Sequence, residues 1–165
     1  MNTFSKILLF SCISTITSTP YAGDSLSVRT IGVELARDIA FESIRACRKQ
    51  GFQVSAVVVD RNGLVQAALR DDLATRFTLQ IAEEKANSVI LSGINSGEFR
   101  KSRGDIRPEL NHMNGIIIMQ GALPIEIAGS KIGAIGVSGA PGGYLDERCA
   151  QQALDALVER IEFSE

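Results

Sequence analysis

GFQVSAVVVDRNGLVQAALR, residues 51–70, is the stretch on which the fold turns. Val54 to Asp60 is a β-branched apolar run of strand character, and Asp60-Arg61-Asn62-Gly63 supplies an Asn-Gly turn before a second strand, Leu64 to Leu69. Strands joined by so short a turn pair antiparallel, so the sheet is built from hairpins. Gly51 also closes what precedes it. From Ser27 to Gln50, apolar residues recur at Val28, Ile31, Leu35 and Ile39, and at Ala36, Ala40, Ile44 and Cys47, which is helical spacing with one buried face. Arg48 and Lys49 complement the negative end of that helix, and Gly51 suits a left-handed cap.

On the other side of the hairpin, a second helix is expected from about Thr75 to Gly93, with Phe77, Ile81, Ala82, Lys85, Ala86, Val89 and Ile90 on one stripe. Lys85 on that stripe reads as a stem that snorkels its ammonium to the edge, or as a ligand contact. Residues 94–113, INSGEFRKSRGDIRPELNHM, carry three arginines and a lysine without sustained periodicity, so a long loop is expected there, the natural lid or variable segment. Three short strands follow at Ile116 to Met119, Ile125 to Ile127 and Ile132 to Val137, separated by turns at Gly121 to Pro124 and Gly129-Ser130. A last helix runs from Leu145 to Phe163. This order predicts a single α/β (α+β) domain with a largely antiparallel five-stranded sheet covered by helices.

The chain has 165 residues. Its first 22 read as a signal peptide: Lys6 is their one basic side chain, Ile7 to Ile16 form an apolar run, and small or polar residues lead to Ala22. The run is too short for a transmembrane helix, which needs roughly twenty residues. The expected mature domain is 23–165, soluble, periplasmic or secreted. Without Lys6 it has 16 basic and 19 acidic side chains, a net charge of −3. A mild acidic balance with no basic runs gives no electrostatic footprint for nucleic acid or an anionic membrane. Cys47 and Cys149 remain, and in an oxidising compartment a bridge between them and two buried free thiols are both open.

Gly133, Gly136, Gly139, Gly142 and Gly143 mark a strand-to-helix junction, read either as close packing or as a ligand-lining loop around Gly139 and Gly142. The spacing is not that of a dinucleotide fingerprint. Gly136-Val137-Ser138-Gly139 falls one residue short of a nucleophile elbow, and His112 is the chain's single imidazole. No His, Cys or carboxylate cluster has zinc spacing. A porphyrin needs far less, because the macrocycle supplies four iron ligands and the protein one or two. His112, just before a strand, then reads as an axial ligand or as an exposed loop histidine; with no Cys-x-x-Cys-His, haem would be held non-covalently.

GFQVSAVVVDRNG, LRDDLAT, Glu84-Lys85-Ala86, LPIEIAGSKIGAIGVSGAPGG and DERCA occur in an order that resembles the GlcG/HbpS-like family of haem-binding proteins, across residues 30–160. The resemblance implies a profilin-like or roadblock-like domain, homo-oligomers, and haem binding for exported members. It makes Arg70, Thr78, Lys85 and His112 the candidate propionate partners or axial ligands. The chain departs from the family pattern twice. Phe77 stands where exported relatives often carry a histidine, and Gln120-Gly121-Ala122 replaces a glycine triplet. Two other readings remain: an accessory oligomer that binds a partner protein or a small hydroxyacid-type ligand without haem, and an enzyme, for which the sequence places no acid and base together.

Overall fold

Asp60 closes the first hairpin. Its carboxylate accepts the N–H groups of Asn62 at 2.8 Å and Leu64 at 2.9 Å, and Gly63 takes the left-handed conformation the turn requires (φ 85°). The computed structural model in which this is seen describes Gly23 and residues 25–163, so the expected leader at 1–22 lies outside the described residues. The hairpin strands are β1 (Ser55–Asp60) and β2 (Val65–Arg70).

Four strands form the sheet among the described residues, in the order β2-β1-β4-β3, all neighbours antiparallel; β3 is Ala122–Ile127 and β4 is Ser130–Ser138. The expected five strands are corrected to four. Ile116 to Met119 run irregularly outside the ladder, with Ile117 N–H bonded to the Glu84 carbonyl and Met119 N–H turned back onto the Ile117 carbonyl. The Leu-Pro pair expected in a turn lies inside β3 instead. Pro124 is tolerated there because β3 is an edge strand, and its missing N–H gives a fifth strand nothing to bond.

Alternation along the strands sorts the sheet into two faces. Ala56, Val58, Ile125, Ile135 and Val137 are buried with α1 (Val33–Arg48) and α5 (Gly143–Ala156). Val57, Val59, Ala122 and Ala134 are buried with α2 (Phe77–Ser92). Cys47 on α1 and Cys149 on α5 are fully buried and joined by a disulfide, their Cα atoms 5.4 Å apart; of the two open readings of these thiols, the structure has the bridge.

Helix bounds differ from expectation where tertiary bonds take over from periodicity. α1 begins at Val33, because residues 25–32 run extended and Ile31 N–H bonds to the Ile132 carbonyl on β4. The last helix breaks at Leu157 (φ −115°) into α5 and the short α6 (Val158–Glu162). The expected long loop contains two short helices, α3 (Ser96–Ser102) and α4 (Arg107–Leu110), the latter with Pro108 in its first turn.

Candidate functional site

The α3–α4 arm is anchored to the start of β3 at its base. It stands beside α2 and leaves a cleft of about 660 Å³ between α2, the arm and the chain entering β3, a volume in the ordinary range for small-molecule sites. The arm is held at its base. Asn95 caps α3 by accepting the Glu98 N–H at 2.8 Å, Phe99 is buried, and the Ser96 hydroxyl accepts the N–H groups of Gly121 and Ala122 at 3.0 and 2.9 Å, tying the start of α3 to the start of β3. The opposite wall is strapped to α2: Asn87 donates to the Gly115 carbonyl at 3.1 Å, and Ile117 N–H reaches the Glu84 carbonyl at 3.3 Å. Ile116 to Met119, the segment excluded from the sheet, thereby becomes the apolar wall of the cleft, with Met113 at its margin.

Gln120 closes the inner end. A Cβ on Gly97 would lie 2.9 Å from its side-chain amide nitrogen, and one on Gly143 would lie 2.4 Å from its backbone carbonyl oxygen and 2.9 Å from its Cβ, so glycines on both sides give Gln120 its room. It donates to Glu147 Oε1 at 3.2 Å, while Glu147 Oε2 is buried without a partner among the described residues. This is the position where relatives were expected to carry glycine.

Immediately behind lies a buried ion pair. Lys85, 1% exposed, donates to Asp146 Oδ2 at 2.8 Å and to the Val137 carbonyl at 2.9 Å, while Asp146 Oδ1 accepts the Ala140 N–H at 3.0 Å. Burial pushes the Asp146 carboxyl above its ordinary range, against the opposing pull of the Lys85 ammonium. The expectation that Lys85 snorkels to the edge is therefore corrected, and its ammonium already has two partners inside the chain. The pair bonds α2 to the end of β4 and to α5, and sets the floor against which Gly121 packs: a Cβ there would stand 2.7 Å from Lys85 Nζ.

Charge at the mouth is selective. Of the arm's arginines, Arg103 is neutralised by Asp105 at 3.1 Å, whereas Arg100 and Arg107 line the cleft and have no ion-pair partner among the described residues. Glu84, across on α2, is the acid in the lining and accepts a hydrogen bond from Gln80 at 2.8 Å.

The residues expected from sequence do not come together. Arg70 folds its guanidinium onto the carbonyls of Asp71 and Asp72. Thr78 shares a hydroxyl hydrogen bond with Ser55 at 2.8 Å. Gly139 (φ 134°) sits where a Cβ would be 2.6 Å from the Gln53 carbonyl, which accounts for it by close packing; Gly142 is the N-cap of α5, and its neighbour Gly143 lines the cleft. His112 is exposed just beyond α4, flanked in sequence by the lining residues Asn111 and Met113. Arg100, Arg107 and Asn111 were not singled out by sequence reasoning, and Gln120 entered it only as a departure from the family's glycine triplet; for the first three the available signal was the arginine-bearing, aperiodic segment at 94–113, which marks a region without naming its residues. Among the described residues no group of three or more His, Cys, Asp or Glu is placed to hold a metal ion, and no helix is long and apolar enough to cross a membrane.

The sequence profile described as "Haem degrading protein HbpS-like" matches residues 31–155. The chain belongs to the HbpS-like family. Among solved structures it is similar to HbpS at 31% identity, covering 85% of this chain and 99% of that one with a TM-score of 0.77. It is also similar to the family protein ORFY of Klebsiella pneumoniae at 28% identity, over 84% and 97% of the two chains with a TM-score of 0.76. A likeness in fold alone extends to the structure of a PduOC–haem complex, at 19% identity over 77% and 94% with a TM-score of 0.68. A search of curated proteins gives no significant match. The HbpS-like domain thus includes the central hairpin and the cleft in one unit.

Proposed function

We propose that this protein binds haem non-covalently in the cleft beside α2, as an exported, periplasmic or secreted member of the HbpS-like family. The observation that carries the reading is the cleft itself: an apolar wall, Ile116 to Met119, faces an arm bearing cationic side chains, in a cavity of about 660 Å³. That combination suits a flat apolar macrocycle with an acidic edge. When bound, haem would supply an iron centre able to exchange ligands or electrons. The isoleucines of the wall would hold the ring, Arg100 and Arg107 would face its acidic edge, and His112, exposed at the rim, would be the residue able to bond the iron. Arg70, Thr78 and Lys85 are left out of this assignment because each already has partners within the chain.

Titrating the mature protein with haemin tests the reading. A saturable Soret shift is expected, and His112→Ala should change the spectrum of the bound form without changing the melting temperature. No shift and no saturation would refute it. For export, the mass of protein recovered from the cell envelope should begin at Gly23.

The protein is also proposed to self-associate, because Leu64 (65% exposed) and Val65 (44%) put apolar side chains on and beside the edge strand β2. Light scattering that gives the monomer mass across the micromolar range would exclude this.

A further inference from the structure

Resting on the haem reading, we infer that the cleft recognises its ligand through two carboxylates, one paired with Arg100 and one with Arg107, and that this acidic edge, rather than the metal bond, supplies specificity. Three observations converge on it. First, the arm carries more than one arginine, but only those two line the cleft, and the one between them, Arg103, has its own carboxylate in Asp105. Arg100 is on α3 and Arg107 opens α4, so two separate helices each deliver one guanidinium to the same mouth. A planar guanidinium binds a carboxylate through paired N–H donors, which a lone lysine cannot do.

Second, the acid of the lining lies on the other wall. Glu84 is on α2, held by Gln80, so a dianion would be repelled there and attracted to the arm. The ligand is thereby oriented, with its acidic edge toward α3 and α4 and its apolar body against Ile116 to Ile118. Third, the inner end is closed by Gln120 over Glu147, whose Oε2 is buried without a partner among the described residues. Gln120 is already committed to Glu147, and among the described residues the lining offers no third cation there, so that end gives a carboxylate no ion pair. Two cations on the arm and the Glu84 carboxylate on the far wall define one productive orientation.

The decisive probe is iron-free protoporphyrin IX, which keeps both carboxylates and has no metal for His112, set beside its dimethyl ester, which keeps the ring and loses both charges. With the mature full-length protein, fluorescence titration should show the free acid binding saturably. Arg100→Ala and Arg107→Ala should each weaken it about fivefold, the scale of about 1 kcal/mol for an exposed ion pair. The double variant should weaken it by about the product of the two. The ester should bind weakly and equally to wild type and double variant, and added salt should weaken the acid only with wild type. Both arginines are exposed, so the variants should melt with wild type. Equal affinity for acid and ester, or an unaltered double variant, would overturn the inference while leaving haem binding intact if haemin still saturates. Failure of both porphyrins and of haemin would overturn the inference and the haem reading together.

Discussion

On one face of the sheet, α1 and α5 lie side by side over isoleucine, valine and leucine side chains and are joined by a buried disulfide. On the other, α2 lies alone over valines and alanines, and its closest approach is made by deleting side chains: a Cβ on Gly136 would stand 2.0 Å from the Ala82 carbonyl. The first face is held by apolar volume and a covalent link. The second is held by close backbone approach and one buried ion pair, and the arm and cleft grow from it. The cleft is thus attached to the face with less apolar filling, while the opposite face keeps the domain together.

If the disulfided face is the scaffold, its loss should have the largest effect. Cys149→Ser opens a link between residues separated by 102 positions. The expected cost is about 4 to 5 kcal/mol, the scale for loops on the order of a hundred residues, read as the urea midpoint against oxidised wild type. An unchanged midpoint would break the comparison.

On the other face, Lys85→Met leaves Asp146 buried without its cation and should cost about 4 kcal/mol. Lys85→Met combined with Asp146→Leu should recover most of that loss, because the pair is then replaced by apolar volume. A double variant as unstable as the single would mean that packing, and not charge, is what the pair contributes.

Gly136→Ala should cost about 2 kcal/mol by forcing α2 off the sheet. Gly104→Ala, with nothing within 4 Å of the added carbon, is the matched control and should change little. Equal effects would show that α2 is free to shift.

The smallest expected effect is electrostatic. Arg48 pairs with Asp71 and holds its carboxyl below the usual range, whereas burial holds that of Asp146 above it. The Asp71 contribution is complete above the ordinary aspartate range near pH 4 and is lost as pH falls through the depressed value. For Asp146 the sign is opposite: the protonated form is favoured by folding, so stability attributable to it declines as pH rises through its elevated value. The difference in urea midpoint between wild type and Arg48→Ala should therefore be largest at neutral pH and shrink below pH 4. It is small because Arg48 remains 46% exposed. A difference independent of pH would assign the role of Arg48 to packing.

Much of the scaffold was legible because it rests on local signals. The run Val54 to Asp60 with its Asn-Gly turn, the stripe on α1, and the glycine stop at Gly93 act within a few residues of themselves. Reading failed where a segment's state is decided by distant partners. Ile116 to Met119 has strand composition, but Glu84 and Asn87 hold the chain around it against α2, and the isoleucines become a cleft wall. Lys85 has the stem of a snorkelling lysine, but Asp146 comes to meet it from 61 positions away.

Composition, periodicity and turn chemistry by themselves determined a mixed α+β domain built on antiparallel hairpins, the two cysteines able to bridge, and a long arginine-bearing segment apart from the core. Only the tertiary structure decided that the bridge forms, that the sheet stops at four strands, and which two arginines of that segment face a cavity. The physical reason is that hydrogen-bonded turns and amphipathic stripes are short-range, whereas burial of an ion pair and the lining of a cleft depend on groups that meet only after the chain has folded.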